Sequence, residues 1–532
     1  MSTVAAIPAP ASFPPLLRHL VGFAVVLGLW QAGAMATEGS YMLAGPLAVA
    51  QHIAANAPLL GRALWTTFQN AAWGFVAGNL AAVLLALVVA LLPRARLLVS
   101  ALALVVFCLP LVATGPILRV LYGPGPGPQI TLAALAVYYT TFIPLLVGLR
   151  AAPSSWFDLI HLYGRGAWTA FMQVRLMAAL PYLMAGLQIA APAAFLGAMV
   201  GEFTGADRGL GVLALRAMRG LDVDATWAIA LIAAAVAMIA YAAIGWLADR
   251  LTPARPDILL ATAPTAPPGP LAWRLLRSAL LVVLTTVLVI GLWWALMELF
   301  ALNRFFAKRP DDVWRYLFTA PAAEANRAAL WAASAQTLAQ VVPGYLAGLA
   351  LGAGVALLLA VVPWLASAVL PMAVALRSVP IVTTAPLIVL ALGRGPLGTI
   401  TIVAVMTFFP ALVACIQGLK QAPGQVLDVM RIYSAGRLAL LWHAQIPAML
   451  PAFFAAARLS VPAAILAVTV AEWLATGRGL GALMALTAST SDYNLLWAAT
   501  VLVTLGACLG YALVGLIERA VMARIAPEQL RN

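Results

Sequence analysis

Apolar residues run along the chain in twelve long stretches separated by shorter polar segments. They fall at about 20–36, 66–92, 98–118, 129–149, 178–202 and 226–247, and again at about 278–300, 336–362, 365–392, 399–419, 449–473 and 496–517. Most reach the roughly 20 residues a helix needs to cross a bilayer. The pattern predicts an all-α polytopic membrane protein with about twelve transmembrane helices in two sets of six. The fourth run of each set is followed by roughly 30 polar-interrupted residues, too many for a simple turn.

The two sets are copies of one another. Pro110, Gly123, Pro153, Pro181, Glu202 and Trp227 pair with Pro380, Gly393, Pro423, Pro451, Glu472 and Trp497, all at an offset of 270. Between 191–211 and 461–481, ten of 21 positions are identical, among them Glu202, Arg208, Gly209 and Gly211 with their partners. Apolar composition alone would match Ala and Leu; it would not align Glu, Arg, Pro and Gly. Before the second run the offset changes, because Trp30 matches Trp293 and Pro46 matches Pro310. A few residues are therefore inserted in the outer loop of the second copy. Each copy has an even number of spans, so both start on the same side and the repeats are parallel.

Residues 1–251 form the first repeat and 274–532 the second. Between them, 252–273 carries six prolines, a density that forbids regular helix and gives an extended tether. Lys and Arg favour the segments that lie inside when the N-terminus is inside, so both termini are expected in the cytoplasm. No short apolar run with a small-residue cleavage site opens the chain, and no signal peptide is expected.

The chain has 532 residues, is 64% hydrophobic and only 9% charged, which excludes a soluble enzyme and a disordered chain. The net charge of +13 belongs to loops at a membrane surface, not to a nucleic-acid partner. Cys108, Cys415 and Cys508 sit far apart in apolar runs, and the four His are scattered, so neither a disulfide framework nor a metal site is expected. Lys308 is followed by Arg and Lys420 by Gln, so no phosphate-cradling P-loop is present and the chain holds no ATP in that way.

The loop after the fourth run reads as a short helix, a turn at Gly164 and a second helix running into the fifth span. Ser155 and Asp158 have capping-box spacing, and Gly164 suits a left-handed turn. The second copy repeats the layout with Asp428, Tyr433, Ser434, Ala435 and Gly436 where the first has Asp158, Tyr163, Gly164, Arg165 and Gly166. A short helix with an acid and an apolar, aromatic face reads as a docking knob for a partner or as an amphipathic segment lying on the membrane surface, and its presence in two copies with one layout favours docking. This layout resembles the cytoplasmic loop of ABC importer permeases: Glu-Ala-Ala, three residues, Gly, nine residues, Ile-x-Leu-Pro. Asp158, Gly164, Val174 and Leu176 match it, with Met177 at the Pro. In the second copy Asp428, Ala444, Ile446 and Pro447 occupy the motif, with Ser434 at the Gly. Glu202 with Gly209-Leu210-Gly211, Glu472 with Gly479-Leu480-Gly481, and Leu109-Pro110 with Gly115-Pro116 resemble the nitrate, sulfonate and taurine branch of these permeases.

The resemblance implies two permease domains fused in one chain, with no bond chemistry of their own. Two ABC ATPase subunits would dock on the loops and bind ATP and Mg, and an extracytoplasmic solute-binding protein would deliver a small polar solute, an anion being favoured. The location implied is the inner membrane. Pro192 and Pro462 lie within the fifth spans as kink or gating positions. Arg377 and Arg458 lie inside spans, as pathway residues or as arginines satisfied by carbonyls or the interface. Glu202 and Glu472 stand six residues before Arg208 and Arg478, where an ion pair that positions the Gly-Leu-Gly turn is expected in preference to ligand contact. The rival reading is a secondary transporter driven by an ion gradient, which does not require paired docking loops.

Overall fold

The computed structural model describes residues 43–252, 271–362 and 395–525, with scattered positions in 24–37 and 365–393. Among these residues every regular element is a helix. The first half runs through α1 (Pro46–Ala55), α2 (Ala57–Leu91), α3 (Arg96–Phe107), α4 (Leu111–Tyr122), α5 (Gly127–Gly148), α6 (Ser154–Leu162), α7 (Leu176–Phe203), α8 (Leu210–Arg219) and α9 (Val223–Leu251). The second half runs through α10 (Leu271–Leu299), α11 (Pro310–Trp314), α12 (Ala323–Val361), α13 (Pro396–Lys420), α14 (Gly424–Ile432), α15 (Ile446–Ala471), α16 (Gly479–Thr490) and α17 (Tyr493–Ile525). Nine of the described helices are long and apolar enough to cross a membrane, or ten when α3 and α4 count as one bent span. The remaining expected runs, 20–36 and 365–392, are only partly described, and the tether at 252–273 lies outside the described residues except at its ends.

The expected third span, 98–118, is not straight. The helix stops after Phe107, turns through 89° and restarts at Leu111. Pro110 stands at the break with extended backbone. It has no N–H to give the preceding turn, and its ring would strike the carbonyl four residues back. This bent pair reaches into the second half, where α3 packs on α10 and α17 while α4 packs on α15, α16 and α17.

Each half is built on one sandwich, α2 on α5 on α7 and α12 on α13 on α15. These helices approach through small residues. A side chain at Gly78 would strike the backbone of Ala134, and one at Gly348 would strike that of Ala404. Without a hydrophobic force between helices in lipid, such close approach is what holds them. On the outside of α2, Trp73, Val76, Leu80 and Leu84 form an exposed apolar stripe at helical spacing. On a spanning helix that stripe faces lipid. A buried cluster spans both halves, with Val112, Leu132 and Val200 meeting Ile402, Ala467 and Val470.

The duplication is visible in side-chain detail. Trp30 donates to the Ala44 carbonyl at 2.9 Å and lies 5.8 Å from Trp227, while Trp293 donates to the Lys308 carbonyl at 3.1 Å and lies 5.2 Å from Trp497. The insertion in the second half falls between α11 and α12, where the chain makes a π-helical turn over Arg315–Thr319 before α12 starts.

Candidate functional site

Two kinds of site occupy opposite ends of the fifth spans. At one end lie the paired loops. α6 ends in a turn with Gly164 at φ +66, and α14 ends in the same turn with Ser434 at φ +56. A serine there is held in a conformation that glycine adopts without strain. Asp158, Tyr163, Asp428 and Tyr433 are exposed. Asp428 pairs with Arg431 at 3.0 Å. The capping box expected at Ser155 is not formed: Pro153 is the N-cap of α6, and no side chain caps it. Gly166 and Gly436 are the extended residues that start the next helices.

From these loops the chain runs without a break into the membrane. Helix Ala167–Phe203 is 37 residues long and helix Arg437–Leu474 is 38. At 1.5 Å per residue the first is about 55 Å, well beyond a hydrocarbon core of about 30 Å. Both contain a π-helical turn at the same repeat position, Ala170–Arg175 and Leu441–Gln445. Pro192 and Pro462 lie inside α7 and α15, which continue past them.

At the far end Glu202 and Glu472 are buried. Glu202 accepts from the Gly211 N–H at 2.7 Å and from the Thr67 hydroxyl at 3.0 Å, and Thr67 accepts from the Leu210 N–H at 2.8 Å. Glu472 repeats this, accepting from the Gly481 N–H at 2.8 Å and from Thr337 at 2.8 Å, while Thr337 accepts from the Leu480 N–H at 2.9 Å. The first N–H groups of a helix have no partner within it, and its N-terminus carries partial positive charge. Each carboxylate therefore staples the short helix after a span to the span itself. The Gly-Leu-Gly spacing follows from this. Gly209 and Gly479 take φ of +134 and +89, and a Cβ on either would collide with the carboxylate. The expected ion pairs to Arg208 and Arg478 are not formed, because backbone N–H groups and a threonine hydroxyl take the carboxylate and both arginines are exposed. Thr67 and Thr337 were not singled out from the sequence. The signal that could have found them is the same offset of 270 in otherwise apolar helices.

Beside the second cap, a cavity of about 1010 Å³ opens between the halves. The first half gives it Arg119, Thr204 and Arg219, and the second gives Gln336, Trp473 and Arg478. Among the described residues no carboxylate lines it. Gln336 also accepts from the Gly479 N–H at 3.0 Å, so the cap forms part of the wall. Of the two arginines singled out within spans, Arg377 lies outside the described residues. Arg458 is in an ion pair at 3.2 Å with Glu518 of α17, which is 1% exposed, and does not line the cavity. Its charge is met by a carboxylate and not by carbonyls or the membrane interface.

Two parallel helical bundles with matched caps and a seam between them define a duplicated, multi-pass membrane permease. The chain belongs to the binding-protein-dependent transport system inner membrane component family, whose model matches residues 78–254 and again 346–523. It is 31% identical over 238 residues to a probable ABC transporter permease protein of Haemophilus influenzae, covering 44% of this chain and 96% of that protein. It is 31% identical over 156 residues to the riboflavin transport system permease protein of Chloroflexus aurantiacus, covering 29% of this chain and 58% of that protein. A taurine transport system permease protein of Escherichia coli is 24% identical over 210 residues, covering 39% of this chain and 76% of that protein. One such relative thus corresponds to less than half of this chain, as a duplicated unit requires.

Proposed function

We propose that this chain is the complete membrane pathway of an ATP-driven importer, with residues 1–251 and 274–532 as its two permease domains and 252–273 as their tether. Two ABC ATPase subunits dock on α6 and α14 from the cytoplasm, where both chain termini also lie. They bind ATP and Mg and perform the hydrolysis. An extracytoplasmic solute-binding protein delivers the solute to the opposite face. The observation that carries this reading is the repeated lever: an exposed acidic helix, a left-handed turn, and a helix that runs unbroken from the loop to the cap at the seam. A push on α6 or α14 reaches the seam along one rigid element, and opposed motion of the two levers opens one face as it closes the other. Pro192 and Pro462 lie inside the levers, which continue past them, as fixed kinks in each rigid element.

The solute is small and polar, and an anion is favoured by Arg119, Arg219 and Arg478 around a cavity without carboxylates. Relatives named for taurine, riboflavin and formylaminopyrimidine transport span that range of polar solutes.

The test is to reconstitute the chain with its copurifying ATPase and replace Asp158 and Asp428 by Arg. Coupled ATP hydrolysis is expected to fall about tenfold, equivalent to about 1.4 kcal/mol of docking energy. Unchanged coupling in the doubly substituted, folded chain would reject docking at these loops.

A further inference from the structure

A second cavity, of about 290 Å³, lies in the first half at the end that carries the docking loop. Its walls come from the ends of α2 and α5, with Val89, Pro93 and Leu146, and from the docking helix itself, with Phe157. Arg150, just past the end of α5, and Arg175, at the start of α7, complete it. The Arg175 guanidinium lies 5.3 Å from the centre of the Phe157 ring. No carboxylate lines the cavity, and neither arginine is in an ion pair among the described residues.

We propose that this cavity binds the phosphate headgroup of an anionic phospholipid and thereby ties the docking helix to its lever. Two forked guanidinium groups without acidic partners suit a phosphate. The apolar wall distinguishes a lipid from a free phosphate. On the chain segments that supply the cavity, Leu91, Leu92, Trp168 and Met177 are all more than half exposed, so an acyl chain has an apolar surface to lie on. Trp168, stacked on Phe171 at 6.0 Å, is the kind of aromatic pair found at headgroup depth. Basic pockets between span ends recognise anionic headgroups in this way. The second half does not repeat the site: Arg150, Phe157 and Arg175 correspond to Lys420, Leu427 and Gln445. One headgroup bridging Arg150 and Arg175 would fix the end of the fourth span to the start of the fifth, directly beneath Phe157. Anionic lipid would therefore stiffen the first lever and leave the second alone.

The experiment is native mass spectrometry of the delipidated full chain in detergent, titrated separately with phosphatidylglycerol, phosphatidylcholine and inorganic phosphate. One phosphatidylglycerol is expected to bind about tenfold more tightly than phosphatidylcholine, and inorganic phosphate in millimolar excess is expected not to displace it. Arg150→Gln together with Arg175→Gln should abolish the preference, Phe157→Leu should weaken it severalfold, and Lys420→Gln should leave it intact. Should the double variant fail to fold, Arg150→Gln alone, at an exposed residue, should cut the preference severalfold. Equal binding of the two lipids, displacement by inorganic phosphate, or full retention in the arginine variants would each overturn the proposal. None of these readouts involves an ATPase or transport, so they stand apart from the permease reading.

Discussion

At the two cap carboxylates the halves match, and around the seam cavity they do not. Thr67, Glu202 and Gly211 in one half and Thr337, Glu472 and Gly481 in the other make the same hydrogen bonds within 0.2 Å. The seam cavity, by contrast, takes Arg119 and Arg219 from the first half, whose repeat partners are Val389 and Ser489, and takes Arg478 from the second while its partner Arg208 stays outside. Deeper in the bundle Arg458 and Glu518 form a buried ion pair where the first half has Gln188 and Ala248. The cap hydrogen bonds are kept in both halves, whereas the charged side chains around the seam and the Arg458–Glu518 pair are one-sided, which a pair of identical subunits could not achieve.

The sharpest way to break this comparison is at the charged pair. Arg458→Gln alone removes the ion-pair partner of buried Glu518 and should cost about 3–5 kcal/mol. Adding Glu518→Ala recreates the first-half arrangement and should recover most of that loss in the thermal unfolding of the purified protein. A double variant no better than the single would mean that the first half is not a usable template for the second.

Next in size are the caps. Glu202→Ala and Glu472→Ala leave the Gly211 or Gly481 N–H without its acceptor, while the Thr67 and Thr337 hydroxyls keep the Ala63 and Ala333 carbonyls, at about 1–3 kcal/mol. Equal losses of thermal stability in the two variants are expected from the matched geometry, and a twofold disparity would show that the caps only look alike. Gly209→Ala and Gly479→Ala press a methyl group into the carboxylate at a positive φ and should cost about 2 kcal/mol each. Ser434→Gly should instead stabilise the second docking loop by about 0.5–1 kcal/mol, and Gly164→Ser should reverse the sign in the first. Hydrogen exchange across α6 and α14 reads both.

The smallest effect concerns pH and α11. Burial pushes the Asp312 carboxyl up, but the hydrogen bond from Arg304, the Arg309 backbone N–H and nearby positive charge together hold it below the usual carboxylate range. A carboxyl lowered on folding stabilises above the unfolded pKa of about 4, and that contribution disappears as pH falls through the lower folded value. Pepsin should therefore cut near α11 more readily as the medium is acidified below about pH 4. The region around α1, which has no acid in its first turn, should show no such change.

The sequence carried most of the architecture because an exact offset of 270 marks polar residues that apolar composition cannot align by chance. The Gly-Leu-Gly turns were legible for the same reason, and Gly164 was legible as the residue that ends a short helix in a left-handed turn. Three things were not. The break at Pro110 lies within an apolar run, and a proline in such a run reads equally as a tolerated kink. Glu202 was matched to the nearest opposite charge in sequence, whereas its partners are backbone N–H groups and a threonine 135 residues away. Arg119 and Arg219 have no charged repeat partners, so the duplication that exposed everything else left the cavity unmarked.

If two levers driven by separate nucleotide-hydrolysing subunits open this seam, transport must depend on those subunits. The decisive experiment is uptake of radiolabelled solute into proteoliposomes that hold the chain, with its ATPase and solute-binding protein supplied or withheld in turn. Accumulation is expected only when ATP and all three components are present. Accumulation by this chain alone on an ion gradient would contradict the account.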